Sequence, residues 1–149
     1  MFKFELNPVL SLKEKIEDAK KRELGEANGH KEQLEFKKSS LANEHQGVCR
    51  QIKTNSSKQV NIREIQMLNQ YSSYVDKQIK QTEIQIKAAK KIVEKKREEL
   101  MGAVKERKIL DNLKEIRLEQ YREDTKKIEQ ILVDETVSYK YGVSKRGDE

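Results

Sequence analysis

Apolar residues recur along this chain at alternating steps of three and four, with charged residues between them. The pattern is strongest from residue 75 onward. Val75, Ile79, Thr82, Ile86, Ala89, Val93, Lys96, Leu100, Ala103, Arg107 and Leu110 keep strict four-three spacing, and eight of these eleven are apolar. Heptads sustained over this length predict a left-handed coiled coil. From Leu110 to Tyr121 the spacing shifts by a stutter-like eleven residues. The first part of the chain carries a weaker seam: Val9, Leu12, Ile16 and Ala19, then Ala27, Leu34, Leu41, Val48 and Ile52.

The punctuation between these seams divides a single domain, 1–149, into elements. Residues 1–7 alternate apolar and charged and read as an N-terminal arm. Asn7 is a good N-cap and Pro8 a tolerated first helical residue, so helix 1 is expected over 8–53. Acid-before-base pairs one turn apart, Glu17 with Lys21 and Asp18 with Arg22, support it. Gly25 and Gly29 weaken it by about 1 kcal/mol each relative to Ala. The seam resumes in phase beyond them, which favours a continuous helix with a soft spot. Residues 54–60 are polar and lack a seam, so they are the expected turn. Asn61 and Glu64 resemble a capping box that starts helix 2, expected over 61–138. The tail 139–149 is expected to fray. The predicted fold is all-α: a long antiparallel two-helix coiled coil whose C-terminal helix extends beyond the first. The paired part would be roughly 70 Å long and the overhang roughly 45 Å at 1.5 Å per residue.

Composition narrows the function classes. Charged residues make up 39% and hydrophobic ones 34%, and close to half the chain is Ala, Glu, Lys, Leu or Arg. That favours a narrow seam over a thick core. The formal charge is +6, but 26 acids make the surface a mixed one rather than a nucleic-acid tail. One cysteine, Cys49, gives no disulfide framework, and no apolar run approaches the ~20 residues of a membrane span. These features point to a cytosolic protein.

Catalytic and cofactor chemistry have no foothold. The six glycines never form a phosphate-binding loop, and His30 and His45 stand fifteen residues apart without metal-ligand spacing. No two carboxylates mark themselves as an acid–base pair, and a two-helix rod offers no pocket to activate Cys49. The expectation is a non-enzyme with no cofactor and no metal. Three surfaces could bind other proteins. Tyr71 and Tyr74, with Val75, lie beside the expected turn, and aromatics are enriched at interfaces. Lys87, Lys90, Lys91, Lys95, Lys96 and Arg97 form a basic cluster; with no interleaved aromatics for stacking bases, it suits an acidic protein better than nucleic acid. Ile109, Leu110, Leu113, Ile116, Tyr121, Ile128, Ile131 and Leu132 share one broad arc of the overhang, which needs a partner to leave water.

Phe2-Lys-Phe-Glu-Leu6 near the start and Glu106-Arg-Lys-Ile-Leu110 and Glu129-Gln130 near the end, taken in their order and spacing, resemble the flagellar export protein FliJ family. The start Phe2-Lys-Phe-Glu-Leu6, Val9-Leu10, Lys13 and Glu17 is similar to the family's opening. The far end is closer: Glu106-Arg-Lys-Ile-Leu110, Leu113-Lys-Glu, Tyr121, Glu129-Gln130 and Asp134-Glu135. The resemblance covers nearly the whole chain. It implies a coiled-coil component of the flagellar type III export apparatus, shaped like the central stalk of rotary ATPases. It implies contacts with the hexameric export ATPase, the cytoplasmic part of the membrane export gate, and export chaperones. A monomer at the inner face of the cell membrane is expected, with the tyrosines on the gate and the overhang in the ATPase ring. Two other roles stay open: an escort for export chaperones and substrates, or a generic coiled-coil scaffold.

Overall fold

The computed structural model describes residues 2–56 and 61–144. Two long helices account for nearly all of them: α1, Asn7–Ser56, and α2, Ile62–Ser144. They pack against each other as an antiparallel coiled coil. The direction follows from the ion pairs. Lys20 meets Glu99 while Lys38 meets Glu83, so ascending along α1 means descending along α2.

The helix ends differ from expectation in instructive ways. α1 runs three residues further than 8–53, so Thr54 to Ser56 are helical; 57–60, the rest of the expected turn, lie outside the described residues. The Thr54 hydroxyl donates to the Arg50 carbonyl at 2.9 Å, a helix-compatible bond that lets a polar residue stay in the last turn. The expectation that the chain frays from 139 is corrected: α2 continues through Ser144, and 145–149 lie outside the described residues. At its start, the Asn61 side chain accepts from the Arg63 backbone N–H at 3.3 Å and so caps one orphan donor. Asn7 does otherwise than expected: its side-chain oxygen accepts from Lys114 Nζ at 3.4 Å. α1 passes through Gly25 and Gly29 unbroken.

Contacts group the chain into two units, Met1–Ile16 with Ala103–Glu149, and Glu17–Gly102. In the larger unit, α2 turns Leu68, Ser72, Val75, Ile79, Thr82, Ile86, Ala89, Val93, Lys96 and Leu100 inward, all buried or half-buried. The part of the four-three seam that falls here is therefore the packed face. α1 answers with Ala27, Leu34, Leu41, Val48 and Ile52, as expected, interleaved with Lys31, Lys38 and His45.

The first turns of α1 require a correction. The expected seam residues Val9, Leu12 and Ala19 are exposed. Leu10 and Lys13 face inward in the smaller unit, and Glu17 and Lys20 in the larger. Charged residues can occupy these seam positions because counter-charges meet them, from the partner helix for the lysines and from one turn along the same helix for Glu17. Lys13 Nζ reaches Glu106 at 2.6 Å, and Lys20 Nζ reaches Glu99 at 2.9 Å. Buried Glu17 is held by Lys21 at 2.8 Å. An apolar count selects the stripe next door, because it cannot see the partner.

Candidate functional site

In the larger unit, Lys20, Glu23, Lys96 and Glu99 form a four-charge clamp across the seam. Lys20 binds both Glu99 and Glu23, and Lys96 binds both Glu23, at 2.7 Å, and Glu99. Each group is half-buried. Hydrogen bonds from Lys96 and then Lys20 hold the Glu23 carboxyl below its ordinary value, and those from Lys20 and then Lys96 do the same for Glu99. Both lysines are pushed up in return. Lys96 is thus spoken for, which removes it from the expected basic cluster. Lys87, Lys90, Lys91, Lys95 and Arg97 are all exposed and remain available.

The tyrosine surface is also part of this unit. The rings of Tyr71 and Tyr74 stack with centroids 6.4 Å apart. The Tyr71 hydroxyl hydrogen-bonds the Glu44 carboxylate of α1, which pushes the phenol pKa up. Both tyrosines are exposed, and a shallow depression beside Tyr74 is lined by Asn69, Gln70, Ser73 and Lys77. Val75 does not belong to this surface: at 1% exposure it is seam, and no partner can touch it. His45 and Ser72 face each other across the same stretch, with Nε2 3.1 Å from the hydroxyl oxygen, and Cys49 Sγ lies 3.9 Å from His45 Nδ1. No cluster of metal ligands exists among the described residues.

In the smaller unit the N-terminal arm folds against α2, and this moves the start of the overhang. Phe2 packs on Tyr121 with ring centroids 5.6 Å apart. Residues 2–6 line a groove with Arg117, Gln120, Tyr121 and Asp124. Ile109, Leu110 and Leu113 therefore lie where α1 and α2 are still paired, and Leu110 is itself half-buried in the seam. Beyond Thr125 every residue to Lys140 is exposed. The uncovered end of α2 carries Ile128, Ile131, Leu132, Val133, Val137 and Tyr139. Val133, Val137 and Tyr139 extend the expected set; Tyr139, seven residues past Leu132, continues the arc drawn through Ile128 and Leu132, whereas Val133 and Val137 fall outside it. The arm's platform escaped the sequence because only Phe2 and Phe4 mark it.

The described residues form a two-helix coiled coil with a narrow seam and apolar side chains exposed on one helix end. The chain belongs to the flagellar FliJ protein family, whose model matches residues 2–146. It is accordingly a component of flagellar, type III protein export. A solved structure from Chlamydia trachomatis, assigned there as a candidate YscO homologue, is similar at 22% identity and a TM-score of 0.46, covering 98% of this chain and 99% of that one. No curated protein matches. No described helix is long and apolar enough to cross a membrane.

Proposed function

We propose that this protein couples the hexameric export ATPase to the cytoplasmic part of the export gate, working in the cytoplasm at the inner face of the membrane. The observation that carries this reading is the uncovered end of α2, where six large apolar side chains between Ile128 and Tyr139 stand exposed. An isolated helix gains little from propensity and cannot bury such a face by itself. A ring-shaped ATPase offers a pore that surrounds a helix on all sides, which suits apolar residues spread around its circumference. The exposed bases Lys87, Lys90, Lys91, Lys95 and Arg97 supply charge for acidic loops of the ring. Each such exposed pairing contributes about 1 kcal/mol or less, so the apolar end sets affinity and the bases set salt dependence. The stacked tyrosines are the surface for the gate.

The test is ATPase turnover with the full chain and with a chain ending at Thr125. That truncation leaves the arm's platform and the whole paired region in place. The shortened protein should keep its helicity by circular dichroism and lose stimulation of the ATPase. Equal stimulation by a folded, shortened chain would remove the ring from this end and favour the escort of export chaperones instead.

A further inference from the structure

We propose that the N-terminal arm is an autoinhibitory strap: residues 2–6 lie on the root of the stripe by which the end of α2 takes its partner, and they lift off when that partner engages. The proposal rests on the reading of the uncovered end as the contact for the ATPase ring, and adds what limits access to it. Leu118, Tyr121, Thr125, Ile128 and Leu132 follow Lys114 along α2 at steps of four, three, four, three and four, so they share one face. Coverage of that face changes along its length. Up to Lys114 it runs beside α1, whose first residue, Asn7, accepts a hydrogen bond from the Lys114 ammonium. Around Tyr121 the arm covers it, with the Phe2 ring 5.6 Å from the Tyr121 ring. From Ile128 to Lys140 nothing among the described residues covers it. Leu118 is half-buried and Tyr121 is 39% exposed, against 59% for Ile128 and 57% for Leu132. The stripe that needs a partner therefore continues under the arm.

The arm can lift without loss of its own structure. Among the described residues its backbone hydrogen bonds are local: the Asn7 N–H donates to the Phe4 carbonyl at 3.1 Å and the Leu10 N–H to the Leu6 carbonyl at 2.9 Å, and none reaches α2. Half-buried Phe2 and Phe4 pack the arm on α2, where it shares a groove with Arg117, Gln120, Tyr121 and Asp124. Size makes it an obstacle. A helix with its side chains is about 10–12 Å across, and the arm thickens α2 over residues 117–124. A pore that closes on one helix cannot close on helix and arm together. With the arm down, the ring reaches the face from Ile128 onward; with the arm up, it also reaches Tyr121 and Leu118. When the competent state is populated only part of the time, apparent affinity falls in proportion.

The test is an ATPase titration read as the concentration of this protein that gives half-maximal stimulation. Phe2→Ser with Phe4→Ser, in the full chain, frees the arm and should lower that concentration by about tenfold. In a Cys49→Ser chain, Phe2→Cys and Asp124→Cys joined by a short bis-maleimide hold the arm down; bridging should raise it by about tenfold over the same chain unbridged. An arm that merely supports the helix end predicts the opposite sign for the serine variant, so a raised concentration with helicity intact overturns the strap. Equal concentrations overturn it too. If the serine variant loses helicity, the bridged pair decides alone, and no change on bridging overturns the proposal. The chain ending at Thr125 separates the two readings. If it stimulates as well as the full chain, the ring contact fails and the strap with it. If it does not stimulate and the arm variants match the parent, the strap alone fails.

Discussion

Val75 and Thr82 are the two most deeply buried side chains, each 1% exposed, and they show how thin the seam is. With so few buried positions, each matters. Val75→Ala should cost roughly 2 kcal/mol in chemical denaturation, and Ile86→Asp several kcal/mol with visible loss of helicity, because it places a charge against the opposing helix. Thr82 is a contrast. Its hydroxyl donates to the Gln78 carbonyl at 2.8 Å within its own helix, so Thr82→Val removes no bond between helices and should be close to neutral. The clamp sets the response to pH. Glu23 and Glu99 titrate below their ordinary value of 4.5 when folded, so their contribution is complete above that value and is lost as pH falls through the lowered one. Lys20 and Lys96 titrate above 10.5, so theirs is complete below that value and is lost as pH rises through the raised one. Thermal midpoints should be flat across neutral pH and fall at both extremes. Replacing the four residues by Gln and Met should flatten the acid limb; an unchanged acid limb would mean that other carboxylates set it.

At the scale of the element, the two helices were unequally legible in the sequence. The eleven seam residues from Val75 to Leu110 are all buried or half-buried, because a strict heptad in which eight of eleven positions are apolar can be followed through Thr82, Lys96 and Arg107 without knowledge of the partner. The first turns of α1 were misread for the converse reason. Lys13 and Lys20 sit in the seam because Glu106 and Glu99 of the partner helix neutralise them, and Glu17 is paired with Lys21 of its own helix, while the apolar neighbours Val9 and Leu12 imitate a seam. The same blindness put Lys96 in a surface cluster and Val75 in a binding surface. Gly25 and Gly29 are a further surprise: a Cβ added at either meets nothing within 4 Å, so neither serves packing. Gly25→Ala and Gly29→Ala should each stabilise the chain by up to about 1 kcal/mol in thermal melts. The tyrosine surface yields a functional prediction at this scale. Tyr71→Ala with Tyr74→Ala should weaken gate binding, measured by calorimetry, and leave ATPase binding intact; equal loss of both would indicate a folding defect, because Tyr71 also ties α2 to Glu44.

Over the whole molecule, the sequence conveyed the antiparallel coiled coil and a second helix longer than the first, but placed the start of the uncovered end at Ile109. The arm is the cause: with Phe2 on Tyr121, the chain before α1 covers a stretch of α2 that helix pairing alone leaves bare. The charges inside the seam have a consequence for alignment. Uniform heptads would let one helix slide past the other by seven residues at little cost. A slide in one direction would bring Lys13 to Lys114 in the smaller unit and Lys31 to Lys96 in the larger, setting like charges face to face. The penalty is electrostatic, so it weakens as salt shortens the reach of charge, to ~3 Å at 1 M. Spin labels at Asn28 and Lys90 should therefore give one distance in dilute buffer. After refolding in molar salt, a second population should appear, longer by several ångströms, because an axial shift of about 10 Å adds to the lateral gap between the helices as the sides of a right triangle do. In this reading the lysines and glutamates of the seam act less as glue than as a vernier, and salt degrades the fidelity of the pairing before it degrades its strength.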